Sequence, residues 1–287
     1  MKKWLIILRA YSWPASLVTV ILGSVIAWRH GRFSRLDFAL TLTAALLVHS
    51  AANLANTYFD FKNGVDHKET ADDRGLVDGL ITPRAMMLAS LGMFAAGAGI
   101  GFLLAFKNHV PSLLWLGAAG FALAWFYTAS GFAYKYRTLG DAGIFFAFGP
   151  CIVSGTALIQ TGVFLPEALW ASIPLGLLIV GILHANNMRD VKSDTEAEFT
   201  TLAAALGPRR AKTFYYALIF APYFFSLTFG SVWPAVFCAV SIPLSLKLMR
   251  LASKGDFPAL VPETAKLVAV YGLLLSAGLY LAAQTKL

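Results

Sequence analysis

Stretches of about 20 apolar residues, the length a helix needs to cross roughly 30 Å of hydrocarbon, recur from one end of the chain to the other. Away from water every backbone N–H and C=O must be paired within the protein, which leaves a spanning segment little choice but to be helical. Nine spans are expected, at about 11–28, 36–59, 85–106, 111–130, 141–160, 168–188, 213–230, 231–250 and 266–284. Only Gly230, Ser231 and Pro234 divide the seventh from the eighth, so a count of eight stays open. The 287 residues are 58% hydrophobic and 13% charged, against about 25% charged in soluble domains. A soluble fold is excluded, and the expectation is an all-α integral membrane protein, one domain over 1–287.

Charge orients the bundle. With the amino terminus inside, all but five of the 23 lysines and arginines (Arg29, Arg32, Arg35, Lys107 and Lys286) fall on the cytoplasmic side, as the positive-inside rule asks. Nearly all the acids share that side. The net charge of +8 is then mostly topology, with anionic headgroups or an anionic substrate as partners and no nucleic-acid footprint. The first residues, Met1 to Arg9, read as an interfacial lead-in to the first span, and Cys151 and Cys238 as buried, inert thiols.

Two of the apolar stretches end in polar stripes. His49, Asn53, Asn56 and Asp60 follow one another by four, three and four residues, and Asn186, Asp190 and Asp194 by four and four, so each set occupies one helix face. Each must face protein or water. For His49 and Asn53 alone, interhelical hydrogen bonding explains the stripe as well as a ligand does. Carboxylates need more than that, because charge at a membrane boundary is costly and marks function. Hard divalent cations take carboxylate and amide oxygens, and Mg2+ commonly takes one or two carboxylates plus water and substrate phosphates. Lys62, Lys68, Arg74, Lys135, Arg137, Arg189 and Lys192 share the face and suit a diphosphate. A diphosphate so neutralised is a good leaving group. An allylic donor would leave a cation that the rings of Trp125, Phe126, Tyr127, Phe145, Phe146, Phe148, Tyr215, Tyr216, Tyr223, Phe224 and Phe225 could steady.

These residues carry a family resemblance. Asn56-x-x-x-Asp60-x-x-x-Gly64-x-Asp66, continued by Asp72-Asp-Arg74 and Asp78, and Asn186-Asn-x-Arg-Asp190-x-x-x-Asp194 with its Thr201-Leu-Ala tail resemble the two motifs of UbiA-type intramembrane prenyltransferases. Tyr127-Thr128, Tyr134-Lys135-Tyr136-Arg137 and Leu139-Gly140-Asp141 resemble the segment between them. The longer spacing of the first motif is most similar to the 1,4-dihydroxy-2-naphthoate prenyltransferases of menaquinone synthesis and their animal counterparts. The resemblance implies nine helices around a central cavity open to lipid, with a cytoplasmic cap. It implies that Asn56, Asp60, Asp66, Asp190 and Asp194 hold Mg2+ and act in catalysis, and that Arg74, Lys135, Arg137 and Arg189 bind the diphosphate. Asn53, Tyr127 and Asp141 are candidates for holding the acceptor or steadying the cation, although Asp141 could equally cap a helix. Substrates would be a polyprenyl diphosphate and an aromatic acceptor, in a bacterial or archaeal cell inner membrane. The chain departs from the family at Ala197-Glu198-Phe199-Thr200-Thr201, where a glycine is usual.

Other acceptors, such as 4-hydroxybenzoate, homogentisate, a chlorophyllide or haem, fit the same motifs. An ion-coupled transporter would place its charges near the midplane with access from both sides. Here the acids gather at one surface. A scaffold leaves both stripes without a reason.

Overall fold

A computed structural model describes residues 2–65, 74–129, 132–196 and 198–285. Among them there is no strand. A short helix α1 (Lys2–Ile7) ends at Arg9, whose φ of 51° turns the chain through a 3-10 segment into α2 (Pro14–Arg29). The exposed Trp4, Leu5 and Ile6 suit the expected interfacial lead-in. Helix α3 (Arg35–Lys62) starts where the Ser34 hydroxyl accepts from Asp37 N–H at 3.2 Å. Helix α4 (Pro83–Lys107) starts at Thr82, whose hydroxyl caps Ala85 N–H while Pro83 fills a position that has no donor to satisfy.

Helix α5 (Ser112–Phe126) is followed by a rod made of α6 (Gly140–Phe146), a π-helical segment (Ala147–Cys151) and α7 (Ile152–Thr161). Pro150, which has no N–H to donate, lies in the π segment and explains why the regular ladder is interrupted there. Then come α8 (Pro166–Glu196), α9 (Leu202–Ser226), α10 (Val232–Ala239), α11 (Ile242–Lys254) and α12 (Phe257–Gln284).

By length and composition, six of these rods can cross a membrane, or seven if α10 and α11, bent by 49°, form one span. The expected nine is therefore supported for six or seven. Helix α5 has only 15 residues. Helix α9 leaves helical geometry at Gly207 (φ 73°, ψ 165°) and carries Arg209, Arg210 and Lys212 just beyond that break.

Helix α8 is the axis of the larger core, packed on α9, α12 and α2 through Leu175, Leu178, Tyr215, Ile219, Tyr271 and Leu275. Buried tyrosines there find oxygen partners rather than lipid: Tyr215 with Thr264 at 2.6 Å, Tyr271 with the Pro222 carbonyl at 2.6 Å, Tyr223 with Ser241 and Ser245 at 2.8 Å. Such interhelical bonds add modest stability and fix rotation about the helix axes. A second cluster, built on Ala51, Ala55, Phe59 and Phe94, joins α3 to α4.

The two ends of the bundle differ. At one, Arg29 meets Glu167 and Lys107 meets Asp37, each at 2.6 Å, and Gln160 pairs with the Ser34 backbone. At the other lie the ends of α3 and α8 and the loop before α6, tied together as described below. That loop is anchored by close approach. A Cβ at Gly143 would lie 2.2 Å from the Tyr134 ring, whose hydroxyl donates to the Leu123 carbonyl at 2.6 Å. Burial pushes this phenol well above its ordinary pKa, so it remains a donor. Gly143→Ala should therefore displace Tyr134 and cost about 1–3 kcal/mol. Thermal unfolding in detergent checks this, and an unchanged midpoint contradicts it.

Candidate active site

Between the α8 core and the α3–α4 pair runs a cavity of about 650 Å³. Its wall is divided by chemistry. Near the loop end it is lined by Arg9, Ser12, His49, Asn53, Asn56, Tyr127 and Asn186; further in, by apolar and glycine positions such as Val48, Gly97, Gly101, Leu113, Gly117 and Ile159. The polar stripes expected on α3 and α8 thus reach one compartment. His49 and Asn53 also bind helices together: His49 Nδ1 meets Ser16 Oγ at 2.8 Å and Nε2 meets Ser12 Oγ at 3.1 Å. Ser12 gives its own proton to the Arg9 carbonyl and accepts from Asn53. Its oxygen must then accept from Nε2–H, leaving Nδ1 to accept from Ser16. The interhelical hydrogen bonding considered for His49 and Asn53 is present, and both also line the cavity.

Just beyond the cavity the carboxylates converge. Lys135 Nζ contacts Asp60 Oδ2 at 2.5 Å and the Asn56 amide oxygen at 3.0 Å. The Tyr136 hydroxyl donates to the other Asp60 oxygen. Asp60 is 3% exposed, so its charge is held by these partners and not by bulk water. From α8, Asp194 lies within electrostatic reach of Asp60, Asp190 and Lys135. The ends of α3 and α8, which are more than a hundred residues apart in sequence, therefore bring carboxylates into one electrostatic neighbourhood around one lysine.

The remaining expected residues divide. Arg189 holds Asp190 in a two-pronged pair at 2.7 Å and 2.7 Å. Arg74 makes a similar exposed pair with Asp78, and Arg137 stands over the Phe132 ring at 5.3 Å, exposed to solvent. Among the described residues, Arg137 makes no hydrogen bond or ion pair to the carboxylate cluster. Asp66 lies outside the described residues, as do Lys68 and Asp72. Asp141 does not cap its helix: the residue before α6 is Leu139, and Asp141 Oδ1 instead meets His184 Nδ1 at 3.0 Å while His184 Nε2 faces the Ala211 carbonyl at 3.1 Å. Asp141 is not among the cavity-lining residues. Of the aromatic residues singled out, Tyr127 and Phe148 line the cavity, whereas Phe126, Phe146 and Phe224 point outward and Tyr215 sits in the core.

Several residues here went unread in the sequence. Arg9 and Ser12 line the cavity because the chain turns inward at Arg9; a cation before the first span was the available signal. His184 was a lone histidine in an apolar run. Tyr136 stood inside a quoted motif without a role.

The chain was compared with known proteins. The model of the UbiA prenyltransferase family matches residues 16–257. UbiA prenyltransferase domain-containing protein 1 of Xenopus tropicalis is 36% identical over 291 residues, covering 97% of this chain and 82% of the relative. The Homo sapiens protein of that name is 36% identical over 292 residues (98% and 84%), and the Drosophila melanogaster homolog 37% over 285 (96% and 78%). Among solved structures, the apo UbiA homolog from Aeropyrum pernix K1 superimposes with a TM-score of 0.71 at 20% identity, covering 93% of this chain and 97% of that one. A UbiA homolog from Archaeoglobus fulgidus bound to GPP and Mg2+ gives 0.63 at 16% identity (96% and 99%). These two show the same fold. With helices fit to cross a membrane, carboxylate stripes meeting at one end of a cavity, and a family match over most of its length, the chain belongs to the UbiA prenyltransferase family.

Proposed function

We propose that this protein transfers a polyprenyl group from an allylic diphosphate to an aromatic acceptor of the 1,4-dihydroxy-2-naphthoate type, with Mg2+. The observation that carries the proposal is the meeting of Asp60 and Asp194 around Lys135, with Asp190 in electrostatic reach of Asp194, just beyond the polar end of a cavity whose remaining wall is mostly apolar.

The donor set fits the ion. Asp60, Asp190, Asp194 and the Asn56 amide offer only oxygens, which suit a hard cation. Among the described residues no group of three His, Cys, Asp or Glu side chains could hold a metal alone. That agrees with Mg2+, which completes its shell with water and substrate phosphates. Asn56, Asp60, Asp190 and Asp194 would hold it, with Asp66 as a further ligand from outside the described residues. When bound, Mg2+ offsets the negative charge of the diphosphate. The Archaeoglobus homolog is described as bound to GPP and Mg2+, and the same pairing is proposed here.

The protein's own groups supply the rest. Lys135 and Arg189, each already on a carboxylate, would share their protons with diphosphate oxygens. We assign Arg74 and Arg137 the outer approach of the anion, since both are exposed. As the donor C–O bond breaks, its electron pair leaves with the diphosphate, and a ring carbon of the acceptor supplies the pair for the new C–C bond. In a naphthoate acceptor the ring carboxylate then leaves that carbon as CO2, and the electron pair of the broken bond returns to the ring. Apolar walls keep water from the allylic cation, and Tyr127 and Phe148 face it with ring π-density. Asn53 would orient the acceptor, and Asp141 would act through its neighbours rather than by contact.

The bundle is an integral membrane protein, and the lysine and arginine bias supports a cytoplasmic carboxylate end. The naphthoate acceptor and the bacterial or archaeal inner membrane belong to the proposal and rest on the sequence motifs; the relatives compared above are animal proteins.

Asp190→Asn and Asp60→Asn should each lower turnover by about a thousandfold, the loss of several kcal/mol of charge stabilisation, while helical content and membrane insertion stay intact. Product mass from labelled polyprenyl diphosphate and a panel of aromatic acids measures this and identifies the acceptor. Activity within tenfold of the parent contradicts the assignment. A divalent chelator should stop the reaction and added Mg2+ restore it; turnover that persists in chelator contradicts the metal.

A further inference from the structure

Two loops are fastened to each other across the carboxylate cluster. The rings of Tyr136 and Phe199 stack with centroids 3.9 Å apart and planes 15° from parallel. Thr200 N–H donates to the Tyr136 carbonyl at 3.3 Å. Each ring is also tied to one carboxylate-bearing helix end. The Tyr136 hydroxyl donates to Asp60 on α3, and Phe199 N–H donates to the Asp194 carbonyl on α8 at 2.8 Å. The route Asp60–Tyr136–Phe199–Asp194 is thus a continuous link from one end to the other, and its central joint carries no charge.

Such a joint answers a specific difficulty. Asp194 is repelled by Asp60 and by Asp190, and the Lys135 ammonium that offsets Asp60 and Asp194 is an ionic tie that an incoming diphosphate would compete for. A ring stack keeps its strength when charges are exchanged around it. Both loops also hold a residue in a conformation that L-amino acids adopt only when the surroundings enforce it: Ala133 (φ 28°), three residues before Tyr136, and Glu198 (φ 62°), immediately before Phe199. The packing that fixes these turns fixes where the two rings meet.

We propose that Tyr136 and Phe199 are positioning residues whose stack sets the spacing of the α3 and α8 carboxylate ends before substrate arrives. The proposal rests on the function assigned above, in that the spacing matters because a diphosphate and its cation bind there.

Two measurements on the full chain separate the clasp from that function. With Cys151 and Cys238 replaced by alanine, spin labels at Lys62→Cys and Lys192→Cys, both exposed near the helix ends, report the gap without ligand or metal. A narrow distance distribution is expected in the parent and in Phe199→Tyr, and a broader or longer one in Phe199→Leu. Tyr136→Phe, which keeps the stack but loses the bond to Asp60, should broaden it as well and serves if Phe199→Leu does not fold. Binding of Mg2+ with inorganic pyrophosphate, read by calorimetry, should weaken about fivefold in Phe199→Leu and recover in Phe199→Tyr, with KM for the prenyl donor raised in step and kcat little changed. An unchanged distance distribution in a folded variant overturns the clasp, whatever the enzyme does. A parent that gives a narrow distribution but binds no pyrophosphate overturns the assigned function and leaves the clasp standing.

Discussion

Everything at the reactive end of this bundle depends on carboxylates being held together where water is scarce. Asp60 is buried at a helix end, and its charge is tolerated because Lys135 and Tyr136 reach it from a loop 75 residues further along the chain. Asp194 approaches from α8 and feels the same lysine, together with repulsion from Asp60 and Asp190. Without an opposing charge the arrangement would favour separation, and with a cation and an anion bound it becomes a receptor for both. Under the proposed function, that unfavourable ground state would favour a ligand that brings its own divalent cation.

The rest of the fold serves that concentration of charge. Helix α8 is the most buried of the candidate spans, so its polar end is placed by a rigid core and not by a flexible loop. At the far end, ion pairs between Arg29 and Glu167 and between Lys107 and Asp37 join neighbouring helices. Between the two ends the cavity keeps mostly apolar surface below its polar rim, a fitting place for an isoprenoid chain and a poor one for water. The π segment containing Pro150 carries Phe148, whose ring meets that of His49 with centroids 4.9 Å apart on the cavity wall.

Much of this was legible in the residues. The four-three-four spacing on α3 and the four-four spacing on α8 put His49, Asn53, Asn56 and Asn186 on the cavity and carried Asp60 and Asp194 into electrostatic reach of one lysine, because helical geometry decides which residues share a face. Lys135 was visible as a cation in a motif between the stripes. What could not be read were relations that depend on tertiary direction. Arg189 folds back on its neighbour Asp190, a choice of rotamer that no spacing encodes. Asp141 could satisfy a helix terminus locally, yet the histidine that claims it lies 43 residues away. The count of spans suffered for a related reason. Hydropathy registers an apolar run but not the break at Gly207 or the 49° bend between α10 and α11, and those decide whether a run crosses as one rod.

The most direct test of the central claim is to locate the cation itself. Crystals or particles of the protein with Mn2+ in place of Mg2+ and a non-reactive prenyl diphosphate would show the metal by its anomalous signal or density. The account expects it between the ends of α3 and α8, with oxygens of Asp60 and of Asp190 or Asp194 among its ligands and the diphosphate on its open side. Metal held by one helix alone, or a diphosphate bound elsewhere with Asp60 still closed on Lys135, would contradict it.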